Sequence, residues 1–343
     1  MRPSHLQDLL RCAIPTRRPV LVTGGPGIGK TDIIKRATRD LGADMILSHP
    51  AVADPTDIKG LPWIGADSTT ATFLPFGELS DALRASRLTV WVLDDLGQAP
   101  ASVQASFMQL LLARRVNGHV LPDCVTFVAA TNRRTDRAGV SGILEPVKSR
   151  FATIVELTPD LDDWCSWAFE QPWIPAELIA FLRFRPALFN AFAASADLTN
   201  SPTPRTWANA AHLLGMGLPA SVEAEAIAGA VGGGAAAELM AFLRLYRDLP
   251  SIDAILIDPD SQALPTNPGT LYAVATALAS RATPANFGRV ARYAQRLLDA
   301  KQGDMGALLV RDSLRRQPAV TQTAEFSKLV SGPLGRLMSG EEN

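Results

Sequence analysis

The sequence predicts an α/β fold: a parallel sheet of five strands between helices, followed by an all-helical half. Two observations predict it. Residues 19–158 alternate short, nearly continuous apolar runs with longer mixed segments, the pattern of buried parallel strands separated by helices. After about residue 160 the strand signals fade, and Ala- and Leu-rich segments with helical spacing take over. At 343 residues with 47% hydrophobic residues, the chain is long enough for two domains, each burying a real core.

The five strand-like runs are 19–23, 44–48, 89–93, 124–130 and 153–157, each bounded by Gly, Pro or polar residues. Between Ala53 and Leu79 the pattern breaks into the Gly- and Pro-rich stretch DPTDIKGLPWIGADSTTATFLPFGEL, whose length suits a functional loop or hairpin. In the helical half, breaks at Ser201-Pro202-Thr203-Pro204, at Gly232-Gly233-Gly234 and at Asp258 to Pro268 separate at least three helical groups. The Gly triplet reads as a tight connection between two packed helices, in preference to a flexible hinge. The expected division is an αβα domain over 1–160, a helical lid over 161–250 and a further helical segment over 251–343, with a polar, frayed tail after Arg316.

Composition narrows the function classes. With 33 basic and 34 acidic residues the net charge is −1, so no global field draws nucleic acid or an anionic membrane. Cys12, Cys124 and Cys165 stand far apart with no paired spacing, which argues against a disulfide framework or a zinc site and fits a reducing cytoplasm. The N-terminal stretch lacks a long apolar signal-peptide core, and no run approaches the length that spans a bilayer. The basic and aromatic mixture Phe287 to Tyr293 has the composition of a nucleic-acid contact, but its spacing favours one amphipathic helix face.

Chemistry enters at Gly24-Gly25-Pro26-Gly27-Ile28-Gly29-Lys30-Thr31, which fits G-x-x-x-x-G-K-[ST] directly after an apolar strand and before a helical segment. In such a loop the backbone N–H groups turn inward around phosphates, and the helix N-terminus adds its positive dipole end. Residues Gly25 to Thr31 are therefore the expected ATP cradle, with Lys30 on the β- and γ-phosphates and the Thr31 hydroxyl on Mg2+. A carboxylate at a neighbouring strand end completes such a site, and Val90-Trp91-Val92-Leu93-Asp94-Asp95 supplies two. Asp94 is the expected metal-side acid, and Asp95 the residue that polarises the attacking water. Taken alone, the two acids serve equally well as helix caps; the phosphate loop tips the reading. The apolar run ending at Asn132 offers a neutral donor and acceptor beside the γ-phosphate, although Asn at a strand end is also ordinary turn chemistry.

Taken in order, GGPGIGKT, VWVLDD, VAATNR, EPVKSRF and SPTPRTW resemble an AAA+ ATPase of the MoxR group over residues 19 to about 250. The first two motifs belong to all P-loop ATPases; the strand-end Asn, the S-R-F segment and the P-R segment narrow the resemblance. It implies a P-loop NTPase αβα sandwich with a helical lid, and ATP hydrolysis coupled to remodelling a protein client. By the same resemblance Asn132 is the first sensor of the γ-phosphate, Arg205 the second, reaching from the lid, and Arg150 an arginine finger acting in trans. That would make the active form a homo-oligomer, a hexameric ring closed by head-to-tail contacts. A protein with a von Willebrand factor A domain is the client or partner the resemblance suggests. Arg133, Arg134 and Arg137 are rival fingers, with surface charge as their ordinary explanation.

The chain also departs from that pattern: most relatives carry Glu at Asp95 and Asn at Gly97. A side chain one methylene shorter holds water less well, so slow turnover beside tight binding is expected. Ser48 and His49 lie where relatives carry the polar residue that toggles the catalytic acid. The segment Asp57 to Ile64 resembles a loop that faces the ring pore or a substrate, with Trp63 either a contact residue or a local packing plug. Two other functions compete: a nucleic-acid-directed motor or loader, disfavoured by the charge balance, and a nucleotide-gated scaffold with weak hydrolysis.

Overall fold

Every expected strand joins a single all-parallel sheet. The computed structural model describes residues 1–64, 70–136, 139, 141–195, 197–247, 249 and 251–339. In chain order the strands are β1 (Val20–Thr23), β2 (Asp44–Ser48), β3 (Leu61–Ile64), β4 (Ala71–Leu74), β5 (Thr89–Leu93), β6 (Arg115–Val116), β7 (His119–Val120), β8 (Val125–Thr131) and β9 (Thr153–Glu156). The main sheet runs β2-β5-β8-β1-β9, while β3 with β4 and β6 with β7 form separate antiparallel pairs.

Burial explains why the inner strands read as unbroken apolar runs. All of β8 is buried, and so is all of β5, because helices cover both sheet faces there. On one face Val20, Val22, Val90, Val92, Val128 and Ala130 pack against Leu6 and Leu10 of the helix Pro3–Ala13 and Ile34 of the helix Lys30–Asp40. On the other, Leu21, Trp91, Leu93, Phe127 and Ala129 meet Leu79, Val103, Phe107 and Leu110. Trp91 stacks on Phe127 with centroids 5.5 Å apart and meets Phe107 edge-on at 6.2 Å, which pins β5 to β8 and to the helix Ala101–Ala113.

The register then fixes the site. Val20 to Thr23 of β1 lie beside Val128 to Thr131 of β8 and Thr153 to Glu156 of β9, and Leu93 of β5 lies beside Ala129 and Ser48. Strand C-termini thus end at one edge, and the turns leaving β1, β5 and β8 converge there.

The Gly- and Pro-rich stretch is a helix, a hairpin and a second helix. Asp54 and Asp57 form a reciprocal capping box on the helix Pro55–Lys59, β3 and β4 follow, and the helix Gly77–Leu83 closes the segment. Trp63 is 64% exposed on this hairpin, so it is no packing plug.

The chain divides into two compact units, Met1–Asp160 and Leu161–Asn343. Among the described residues of the second unit every regular element is a helix. One of its cores gathers Cys165, Phe169, Phe181, Trp207 and Leu239, another Leu278, Phe287, Tyr293 and Val310. Burial pushes the Cys165 thiol up to about 12. The Gly triplet joins the helices Ala220–Val231 and Gly233–Arg247 as a tight connection. In the helix Phe287–Asp299 the residues Phe287, Val290, Tyr293 and Ala294 face inward while Arg292 pairs with Asp260, the amphipathic reading of that segment.

One expectation fails. The segment after Arg316 is not a frayed tail: helices Ala324–Val330 and Pro333–Ser339 follow, and Val320, Leu329 and Leu334 are buried in the second core. These sparse apolar residues recur at helical spacing inside a polar stretch, so composition masks an amphipathic face.

Within the helical unit, Arg183 and Asp312 form a buried pair, with Nη2 donating to Oδ1 at 2.8 Å, and Arg315 adds a contact to Asp312 at 3.4 Å. Burial alone would lower the Arg183 value, but the attraction and hydrogen bonds of Asp312 carry it above normal. Removing one partner strands a buried charge. Asp312→Ala should therefore lower stability by about 3–5 kcal/mol in urea unfolding, whereas an Arg183→Met/Asp312→Leu pair should recover most of the loss.

Candidate active site

Backbone shape defines the phosphate loop. Gly27 and Gly29 hold left-handed φ values of 72° and 89°, and Gly29 caps the helix Lys30–Asp40 whose first amides face the loop. A side chain at Gly29 would meet nothing within 4 Å, so dihedral angle alone demands glycine there. At Gly24 space decides: a Cβ would sit 2.7 Å from Ile28 Cδ1 and 2.8 Å from the Leu157 carbonyl oxygen.

Lys30 is buried, and its ammonium donates to the carbonyls of Gly24 at 3.0 Å and Gly25 at 2.8 Å and to Asn132 Oδ1 at 2.6 Å. One cation thus ties the loop after β1 to the strand end of β8. Asn132 spends its other end on Asp95, with Nδ2 donating to Oδ1 at 3.2 Å. The Thr31 hydroxyl donates to Asp94 Oδ2 at 2.9 Å, and the Asp95 amide donates to Asp94 Oδ1 at 3.2 Å. Asp95 adopts a left-handed φ of 56°, a conformation Asp tolerates better than most residues, which turns its carboxylate away from the strand direction toward Asn132. Lys30, Thr31, Asp94, Asp95 and Asn132 are therefore one connected cluster, assembled from three turns at one sheet edge.

Thr31 and Asp94 offer two hard oxygens side by side, a donor set that suits magnesium, which keeps several waters and needs few protein ligands. Among the described residues no group of three or more His, Cys, Asp or Glu side chains is placed to hold a metal ion.

Ser48 lies beside this cluster, and its role is more tightly fixed than the sequence conveys. Its carbonyl accepts the Asp94 amide at 2.9 Å, its hydroxyl accepts from Trp91 Nε1 at 2.6 Å, and that hydroxyl donates to Glu78 Oε2 at 2.6 Å. Glu78, in the first turn of the helix after the hairpin, carries no sequence signal of its own. His49 is exposed. A cavity of about 580 Å3 opens beside Asn132, between Thr23 and Thr131 on the sheet and Ser141, Leu144 and Lys148 opposite.

The arginines behave differently. Arg133 pairs with Asp136 at 3.0 Å and Glu156 at 2.9 Å, and those hydrogen bonds hold it above its usual value, so it is committed within its own chain. Arg134 lines the 580 Å3 cavity, and Arg137 lies outside the described residues. Arg150 is not part of the cluster. It sits before β9 at the opposite, N-terminal edge of the sheet, where its guanidinium donates to the carbonyls of Met108 at 2.8 Å and Pro146. Arg205 is an exposed residue in the first turn of the helix Pro204–Gly215 in the second unit, a helix opened by a Thr203–Thr206 capping box.

No protein-family model matches the chain, and no curated protein matches it. Among solved structures, NtrX from Brucella abortus in complex with ADP is similar with a TM-score of 0.42 and 14% identity, covering 97% of this chain and 68% of that one. The RuvB Holliday junction branch migration motor of Thermotoga maritima is similar with a TM-score of 0.39 and 17% identity, covering 80% of this chain and 81% of that one.

The two glycines give a direct test of the loop. Gly29→Ala should cost about 1–2 kcal/mol through its left-handed φ, and Gly24→Ala should cost more, because a carbonyl blocks the added methyl. Equal unfolding midpoints for Gly24→Ala and the parent chain would contradict that packing.

Proposed function

We propose that the chain binds Mg2+ and ATP and hydrolyses the nucleotide to ADP and phosphate. The Lys30, Thr31, Asp94, Asp95 and Asn132 cluster carries this reading. It combines a glycine-rich loop, a cation, a metal-side pair and a water-side pair at one sheet edge. Lys30 lies where an arriving β- or γ-phosphate would meet its ammonium as a charge-assisted partner. Thr31 and Asp94 would hold magnesium, which supplies charge neutralisation on the phosphates. Asp95 and Asn132 share a hydrogen bond, so a water placed between them meets both an acceptor and an amide, which aligns it for in-line attack.

The finer reading rests on sequence resemblance. Residues 161–250 act as a lid and 251–343 as an added helical segment; Arg205 senses the γ-phosphate from the lid, and Arg150 reaches the nucleotide of a neighbouring subunit. Two features support a trans role for Arg150: its position at the opposite edge from its own phosphate loop, and its lack of a carboxylate partner among the described residues. On this reading the protein is a MoxR-like AAA+ ATPase of the cytoplasm, working as a ring, hexameric by resemblance, on a protein client. The exposed Trp63 hairpin supports a protein client, since aromatic residues make effective interface anchors.

The test separates binding from chemistry. Asp95→Asn and Arg205→Ala should each leave nucleotide affinity near the parent value and lower steady-state phosphate release by about a hundredfold or more. Unchanged turnover in Asp95→Asn removes the catalytic assignment of that acid; unchanged turnover in Arg205→Ala removes the lid sensor.

A further inference from the structure

A second cleft, of about 280 Å3, opens at the N-terminal edge of the sheet, away from the phosphate loop. Four arginines line it: Arg17, Arg18, Arg114 and Arg150. They come from three separate places in the chain. Arg17 and Arg18 lie in the turn before β1, Arg114 caps the helix Ala101–Ala113, and Arg150 precedes β9.

The cleft's charge is poorly balanced. Arg17 pairs with Asp123 at 3.0 Å, but that carboxylate is 92% exposed and heavily screened. Arg114 and Arg150 spend their hydrogen bonds on backbone carbonyls: Val125 at 2.9 Å and Pro122 at 2.6 Å for the first, Met108 and Pro146 for the second. Carbonyls orient a guanidinium without cancelling its charge. Arg18 has no side-chain partner among the described residues. Burial, then the nearby Arg17 charge, holds the Arg114 guanidinium below its usual value, a sign that the two cations crowd each other.

Backbone strain gathers at the same place. Among the described residues, five non-glycine positions have positive φ: Arg17, Asp95, Arg114, Asn117 and Lys301. Two of the five are arginines of this cleft. The left-handed conformation costs about 1–2 kcal/mol per residue, and such cost persists where surrounding structure holds a side chain in a required position. On the same wall Thr126 keeps a buried hydroxyl without a hydrogen-bond partner.

We propose that this cleft binds a phosphate-class oxyanion. Several convergent guanidiniums with little carboxylate compensation match the planar, multidentate recognition that phosphate oxygens receive from arginine. Free phosphate or pyrophosphate would fill it.

Pyrophosphate is the probe, titrated by calorimetry into a Lys30→Ala chain so that the phosphate loop is silenced. Saturable one-to-one binding is expected, weakened about tenfold in Lys30→Ala/Arg18→Ala and further when Arg17→Ala is added. Among the described residues Arg18 has no side-chain hydrogen bond or ion pair to lose, so its substitution tests charge, and unchanged melting temperatures verify that the fold is intact. No heat in the Lys30→Ala chain, or an affinity indifferent to Arg17 and Arg18, overturns the site. Because the calorimetry uses no ATP, its failure leaves the ATPase reading standing, and failure of ATP binding leaves this site standing.

Discussion

The candidate site depends on where one buried ammonium finds its oxygens. Lys30 stands at the first position of its helix and donates to two carbonyls of its own loop and to the amide oxygen of Asn132, the residue that follows β8. That third bond requires β1 and β8 to end level, which their parallel register from Val20 beside Val128 to Thr23 beside Thr131 provides. The register requires both strands to be buried on two faces, hence their valine- and alanine-rich composition. Sequence, pairing and chemistry are thus linked through a single side chain.

Energy and geometry at this edge are coupled through the neighbouring strands as well. Ser48 binds the Asp94 amide through its carbonyl and Glu78 through its hydroxyl, so the turn carrying the acids is joined to the helix that follows the exposed hairpin. The hairpin that carries Trp63 leads directly into that helix.

Much of this was readable from residue order. The five strand runs appear because buried parallel strands cannot alternate polar and apolar residues, and the phosphate loop because only glycine holds the left-handed turn at Gly29. Asp94, Asp95 and Asn132 could be placed because each directly follows an apolar run. Other features leave no such mark. The ordered helices after Arg316 rest on a few apolar side chains in a polar stretch, and Glu78 becomes significant only through its bond to Ser48. The arginine cleft gathers residues 17, 18, 114 and 150, whose proximity no local spacing announces. Tertiary pairing decides each of these cases.

The most direct measurement is calorimetric titration of the purified chain with ATP in excess magnesium, run beside Lys30→Ala. The account requires saturable one-to-one binding in the parent chain and a loss of affinity of about a hundredfold or more in the variant, since a charge-assisted contact to two phosphates disappears. Absence of heat in the parent, or equal affinity in the two proteins, would contradict it.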